Sequence, residues 1–294
     1  MAIHSEPVGS REEEAFRLVL EKLRRNKGVD FSLYRVGTLQ RRIQGRLRTT
    51  GCADYAAYIG YLNQEPGEYD RLLEAITINV TEFFRDPETF EVLKERVIPE
   101  ILKIKAAQGR RLVRVWSAGT SNGEEAYSLA VCFLEALKGC QVSDLAPLRS
   151  DFQITVHGTD IDPQCVRVAQ KGLYPVAGFR KVARSVQERY FQPSLEDEGS
   201  LAAKEEVRAL TRFSRHDLVC DPPLTHMDLI LCRNVVIYFT RPLQEMVYAN
   251  FAKALNEGGV LVLGKVESLS GVMATHFETV DVRERIYRKR RISR

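Results

Sequence analysis

One short stretch restricts the fold of this chain more than any other. In "LVRVWSAGTSNGEEAYSLA", residues 112–130, an apolar strand-like run breaks at a turn containing Gly119 and Gly123 and resumes at once as a helix-like run. A strand that feeds a helix through so tight a turn belongs to a parallel sheet, because parallel neighbours need a crossover and the crossover helix covers the sheet face. The pattern then repeats. "DFQITVHGTDI" reads as a strand and "PQCVRVAQKG" as a helix; "ALTRFSRHDL" and "HMDLILCRNV" read as strands; "PLQEMVYANFAKALNEGG" is a helix, "VLVLGK" a strand, and "FETVDVRERIYRKR" supplies a last strand or two. A mainly parallel α/β sheet covered on both faces is expected. The acidic stretch "PSLEDEGSLAAKEEV" interrupts the rhythm and is read as a loop or small insert.

Ahead of the sheet the periodicity differs. From Arg11 to about Ala75 apolar residues recur at three and four in "EEEAFRLVLEKL", "LQRRIQGRL", "YAAYIGYLNQ" and "EYDRLLEAITINV", with Gly28, Gly37 and "TTGCAD" as breaks. This predicts a small all-α domain of about four helices over 9–84, then an α/β domain over 85–294 with an insert around 175–212. "FFRDPETFEVLKERVIPEIL" is expected to be one further helix from near Pro87.

At 294 residues the chain is long enough for both. It has no apolar run of the ~18 residues a membrane-spanning helix needs, and its start, "MAIHSEPVGSREEEAF", lacks the apolar core of a secretory signal. A cytoplasmic protein without membrane insertion is expected. The six cysteines are scattered without a C-x-x-C pair, so ordinary buried thiols, with neither zinc nor disulfides, are expected. Charge is uneven: residues 1–50 hold 11 Lys/Arg against 6 Asp/Glu and residues 283–294 hold 7 against 1, so ends of +5 and +6 flank a middle of −7 in a chain of net +4. Such ends suit an acidic partner.

In open parallel sheets a ligand lies beyond the carboxyl ends of the strands. Those positions are the Gly119–Gly123 turn, "GTDID", "RHDL" and "CRNVVIYF". A nicotinamide dinucleotide calls for a full G-x-G-x-x-G turn with amides turned to its phosphates. Here the turn has only Gly119 and Gly123, and Glu124 and Glu125 stand where phosphate would sit. S-adenosylmethionine carries no phosphate. It presents a sulfonium, an amino group and ribose hydroxyls, which suit Glu124 and a carboxylate such as Asp160 at the end of the second strand.

"NVTEFFRD" at 79–86, "RVWSAGTSNGEEAYSLA" at 114–130, "TDID" at 159–162, "LILCRNVVIYF" at 229–239 and "GGVLVLGKVESL" at 258–269 together resemble the CheR family, the chemoreceptor glutamate methyltransferases, in order along nearly the whole chain. The resemblance implies an S-adenosylmethionine-dependent methyltransferase fold behind an all-α domain. It implies transfer of the methyl group to glutamates on the cytoplasmic helices of chemoreceptors, giving γ-methyl esters and S-adenosylhomocysteine. Matching positions imply cofactor contacts at Asn79, Thr81, Arg85, Glu124, Asp160, Asp217, Leu218, Arg233 and Asn234, with Arg85 and Tyr238 near the transferred methyl. The chain departs from the family pattern at Thr120, Asn122 and Ala126 in the glycine turn, and at Lys265, where a histidine is common. It also lacks the glycine-rich element with which some members dock a receptor's C-terminal pentapeptide, so no such docking is expected.

In "YRVGTLQRRIQGRLR", Arg35, Arg42 and Arg46 fall on one helical face and Leu39, Ile43 and Leu47 on another. The arginine face is expected to be free for glutamate-rich receptor helices. Nucleic acid is not expected, because no aromatic residue is interleaved among the arginines. Two alternatives remain: a methyltransferase for nucleic acid or a small molecule, separable because only esters release methanol in alkali, and a non-catalytic S-adenosylmethionine-binding signalling module, which intact Arg85, Asn234 and Tyr238 disfavour.

Overall fold

The computed structural model describes residues 8–139, 151–269 and 271–291, with side-chain burial from residue 11 onward. It divides into two compact units. The first is Met1–Asn79 with Tyr238–Leu243; the second is Val80–Ile237 with Gln244–Arg294. The division at Asn79/Val80 differs from the expected 84/85, and a short segment distant in sequence joins the helical unit.

The first unit is built from α1 (Val8–Lys27), α2 (Val36–Thr50), α3 (Tyr55–Gln64) and α4 (Glu68–Thr77). The breaks in the apolar pattern are the caps. Gly51 ends α2 in the left-handed region at φ 73°, and the Asp54 carboxylate accepts the Ala57 amide to start α3. Leu39, Ile43 and Leu47 of α2 are buried, as are Tyr58, Leu62, Leu72 and Ile76 from the helices around it. The returning segment pairs through Arg35 N donating to Tyr238 O at 2.8 Å and Thr240 N to Leu33 O at 3.0 Å, and the Phe239 ring meets Tyr34 edge-on at 4.8 Å. These contacts explain why 238–243 groups with the helices.

One expectation fails in this unit. Arg46 is not on a free face: its Nε and Nη2 each donate at 2.8 Å to Glu68, whose side chain is fully buried. Burial alone would raise the Glu68 pKa, but the Arg46 fork and the Tyr58 hydroxyl outweigh it and hold the carboxyl below its usual range. Arg35 remains exposed although its Nε donates to Phe239 O at 3.1 Å, and Arg42 is half-buried with its Nε unpartnered. The exposed arginines of α2 itself are Arg41 and Arg48.

The second unit opens with α5 (Pro87–Val92), a π-helical turn (Leu93–Val97) and α6 (Ile98–Ala107), so the single helix expected here carries a bulge. The sheet strands are β1 (Leu112–Ala118), β2 (Gln153–Asp160), β6 (Thr211–Arg215), β7 (Met227–Cys232), β8 (Leu255–Leu263), β9 (Phe277–Asp281) and β10 (Ile286–Lys289), in the order β6-β2-β1-β7-β8-β10-β9. The first five are parallel; β10 runs antiparallel to both neighbours. Strand order therefore reverses between β1 and β7. β7 is buried at every residue, as a central parallel strand should be. The crossovers include α7 (Glu124–Gly139), α8 (Pro163–Lys171) and α11 (Arg241–Ala254).

The insert is more ordered than a loop. β3 (Leu173–Pro175), β4 (Phe191–Pro193) and β5 (Ser200–Ala203) form an antiparallel sheet in the order β3-β5-β4, with α9 (Arg184–Tyr190) between its strands and α10 (Glu205–Arg208) after it. The acidic "SLEDEG" is thus a hairpin tip. The basic C-terminal segment is likewise built in: Arg288 forms a double ion pair with Glu100 at 2.7 and 2.6 Å, and Lys289 reaches Glu257 at 3.2 Å. Of the cysteines, Cys132, Cys165 and Cys232 are buried, Cys52 is intermediate, Cys220 is exposed against expectation, and Cys140 lies outside the described residues. No described helix is long and apolar enough to cross a membrane.

Candidate active site

Between the paired strands β1 and β7 the strand order reverses, and the loops beyond their carboxyl ends frame the crevice where doubly wound sheets bind ligands. The turn after β1 is held from β2. Gly119 N and Thr120 N both donate to Thr159 O, at 2.8 and 2.9 Å. Asp160 spans the same gap, its Oδ2 accepting Ser121 N at 2.8 Å and its Oδ1 accepting Asp162 N at 3.0 Å. Asp160 thus shapes the turn and keeps lone pairs for further donors. Burial pushes its pKa up to about 6 against those amides.

Both turn glycines are required. Gly119 has φ 76°, and a Cβ there would sit 2.5 Å from Val235 Cγ2; at Gly123, φ 98°, it would sit 2.7 Å from Ala169 Cβ. The turn is therefore pressed against the loop after β7 on one side and against α8 on the other.

At the start of α7 the two glutamates divide their tasks. Glu125 accepts the Ser117 hydroxyl at 2.8 Å and faces Arg233 Nη1 at 3.4 Å, so it is structural. Glu124 takes a hydrogen bond from Thr81 but leaves Oε2 buried without a partner, and burial pushes its pKa up to about 7. A carboxyl kept half-protonated at neutral pH ionises once a cation arrives.

The segment Val80–Asp86 is anchored at several points. Phe83 is buried among Tyr174, Phe179 and Phe191 at centroid distances of 4.9, 4.5 and 5.1 Å. Phe84 N donates to Ser128 Oγ at 3.0 Å. Phe84 and Asp86 hold left-handed backbone, φ 51° and 57°, a conformation non-glycine residues adopt when their surroundings enforce it. Arg85 Nη1 donates to Val80 O at 3.0 Å. Its possible acidic partners are taken elsewhere: Asp86 by Arg233, Glu88 by Lys265 at 3.0 Å.

Arg233 differs from the expectation of a cofactor contact. Its side chain is 2% exposed, pairs with Asp86 at 2.5 Å and Glu125 at 3.4 Å, donates to Arg85 O at 2.9 Å and lies over the Phe90 ring. It ties the Arg85 segment to α7 from inside the protein. Asp217 is similarly turned inward, Oδ1 accepting Val219 N at 2.8 Å and Cys220 N at 3.4 Å, with Leu218 half-buried beside it. Asn79 and Tyr238 belong to the helical unit, and Tyr238 is half-buried at the end of a short turn, Val236–Tyr238.

Among the described residues, the buried polar atoms of the crevice loops without a hydrogen-bond partner include Thr120 Oγ1, Ser121 Oγ, Glu124 Oε2 and Asn234 Oδ1, together with His216 Nε2 and Arg233 Nε. Orphaned polar groups in a folded protein cost stability unless something meets them. Two hydroxyls, a carboxylate and an amide oxygen match a ligand with amino and hydroxyl donors and a positive centre, which is the chemistry of S-adenosylmethionine. Sequence reading missed Thr120 and Ser121 as polar contributors, and it missed Glu267, whose buried carboxylate accepts Gly264 N at 2.6 Å, Asn234 N at 3.1 Å and Ile237 N at 3.3 Å. A glutamate just past "GGVLVLGK" was the available signal. Lys265 bridges Glu88 and, at 3.8 Å, the buried Glu284. No group of three His, Cys, Asp or Glu that could hold a metal occurs among the described residues.

Residues 79–286 match the model of the CheR methyltransferase SAM-binding domain, and residues 14–77 that of the CheR methyltransferase all-alpha domain. The chain is 34% identical over 279 residues, 95% of its length, to an uncharacterized 104.1 kDa protein of Rhodobacter capsulatus, of which it spans 28%. It is 32% identical over 247 residues to the chemotaxis protein methyltransferase of Listeria innocua, covering 84% of this chain and 87% of that one. It is 29% identical over 259 residues to the probable chemotaxis protein methyltransferase of Rhizobium etli, covering 87% and 92%.

Proposed function

Since the chain belongs to the CheR methyltransferase family and binds S-adenosylmethionine, we propose that it methylates glutamate side chains on the cytoplasmic helices of bacterial chemoreceptors, forming γ-methyl esters. What supports the reading beyond family membership is the set of unpartnered polar groups at Thr120, Ser121, Glu124 and Asn234, arranged at the point where strand order reverses. S-adenosylmethionine, when bound, supplies a methyl group on a positively charged sulfur.

A glutamate side chain, with an ordinary pKa of about 4.3, is anionic at neutral pH and needs no general base. The protein's task is then to align the carboxylate and exclude water. Glu124 compensates the cofactor's positive charge. Asp160 accepts ribose hydroxyls while it holds the glycine turn, and Asn234 and Leu218 complete the cradle. Thr81 orients Glu124, as their hydrogen bond indicates. Arg85, its guanidinium free of any acidic neighbour's hydrogen bond, steers the incoming carboxylate. By its position in the family pattern, the Tyr238 hydroxyl is the second group assigned to the reaction. Arg233 and Asp217 act through the segments they hold.

Receptor recognition falls to the basic side of the helical unit, with Arg35, Arg41, Arg42 and Arg48 as its cations in place of Arg46. The insert hairpin docks no receptor pentapeptide; a synthetic receptor tail titrated into the protein should show no binding at low-micromolar concentration, and binding there would reverse this part of the reading.

The deciding experiment incubates the protein with methyl-labelled S-adenosylmethionine and receptor-containing membranes, then counts volatile label after mild alkali. Labelled methanol is expected. Alkali-stable label instead would place the reaction on a nitrogen or carbon acceptor, and the glutamate reading would fall.

A further inference from the structure

We infer that Glu267 is a positioning residue, whose carboxylate clamps the loop after β7 so that Asn234 is held ready for the cofactor. The inference rests on Asn234 as a cofactor contact. Glu267 is 4% exposed, and besides Gly264, Asn234 and Ile237 its carboxylate receives a backbone hydrogen bond from Val235. Oε2 serves Gly264 N and Asn234 N; Oε1 serves Ile237 N. Every partner is a donor. A carboxylate presents acceptors at both ends of the side chain, whereas an amide would turn one N–H2 end toward these backbone donors.

The loop needs such a clamp because its backbone is strained. Asn234 sits in the left-handed region at φ 61° with its Oδ1 buried and unpartnered, and Val235 is wedged against Gly119. Gly264 completes the fit: a Cβ there would lie 2.8 Å from Glu267 Oε2 and 2.9 Å from Asn234 N. One carboxylate therefore joins the end of β8 to the loop after β7 and, through Val235, to the glycine turn after β1.

The test compares Glu267→Gln with the wild type by calorimetric titration of S-adenosylhomocysteine and by hydrogen–deuterium exchange. In the variant one end of the side chain becomes a donor facing backbone donors. Cofactor-product affinity should fall at least tenfold, exchange in residues 233–237 should accelerate, and exchange in β1 and β2 should stay unchanged. Asp228→Asn is the control. That carboxylate is also buried and also receives a backbone amide, Arg114 N at 3.0 Å, but at the opposite end of β7. Its affinity should match the wild type. Wild-type affinity or loop exchange in Glu267→Gln, or an equal affinity loss in Asp228→Asn, would overturn the inference. Should the glutamine variant not fold, Glu267→Asp, which withdraws the acceptors by one methylene, takes its place with an intermediate loss expected. If the wild type forms no receptor ester yet the affinity loss appears, the substrate reading fails and the clamp stands.

Discussion

Glu124 makes the cofactor affinity of this protein depend on pH in a direction the structure specifies. Burial raises its carboxyl from 4.5 to about 7 in the cofactor-free fold, an ionisation penalty on the order of 3 kcal/mol. A raised acid contributes stability that is fully present below pH 4.5 and is lost as pH climbs through 7, so the free protein should lose stability across that window. Binding runs the other way, because the cationic cofactor wants the ionised form. With a pKa of about 7 the carboxyl is roughly 10% ionised at pH 6 and roughly 90% at pH 8, so affinity should rise about tenfold between them, with ~0.9 proton released per binding event at pH 6 and ~0.1 at pH 8. Asp160, raised to about 6, adds about a factor of two by the same linkage. Titration calorimetry with S-adenosylmethionine in two buffers of different ionisation enthalpy measures affinity and proton count together. Glu124→Gln is the reference, since the ligand's own amino group titrates equally against both proteins. The variant should bind about ten- to a hundredfold more weakly at pH 8, from the lost charge-assisted hydrogen bond of ~1.5–3 kcal/mol, and most of the pH dependence should vanish. Equal pH slopes in the two proteins, or no extra proton released by the wild type at pH 6, would refute the assignment.

The ion pair beneath α2 makes a contrast between surface and core. Arg46→Glu should place two carboxylates together around the buried Glu68 and lower stability by about 3–5 kcal/mol, seen as a large drop in Tm, whereas Arg41→Glu with Arg48→Glu should leave Tm within a few degrees and raise the receptor KM; an unchanged KM would remove α2 from recognition. Gly119→Ala should cost on the order of 2 kcal/mol from the left-handed backbone and the clash with Val235, read as a shifted urea midpoint. Tyr238→Phe should lower kcat about a hundredfold with little change in cofactor affinity, by analogy with the ~10²–10⁴-fold contributions of positioned donors; full turnover would exclude its hydroxyl from the chemistry.

Much of the architecture can be read along the chain because it depends on local pattern. The apolar runs at 112–118 and 227–232, the glycine turn and the period of the α2 residues Leu39, Ile43 and Leu47 are short-range signals, and each became the element that its period implies. The same holds for the crevice, since parallel strands joined by right-handed crossovers place the loops after β1, β2, β6 and β7 together at the carboxyl end of the sheet. Sequence alone also selected Glu124 and Asp160, because a carboxylate after a strand is conspicuous.

Which charges remain available to a ligand or partner was decided only by tertiary structure. Arg46 and Arg48 are indistinguishable as arginines on a basic helix, yet one is sealed against Glu68 and the other faces solvent. Arg233 sits in the motif that suggested a cofactor contact, but Asp86 and Glu125 close around it. The basic end of the chain suits an acidic partner when read as charge alone, yet Arg288 and Lys289 are met by Glu100 and Glu257 from distant segments. Glu267 appeared ordinary until the fold brought the backbone donors of the loop after β7 to its carboxylate. An ionic group's role depends on its partners and its hydration, and both are set by residues far away in sequence. Periodicity specifies which face a side chain takes; only the folded neighbourhood determines whether its charge is already satisfied.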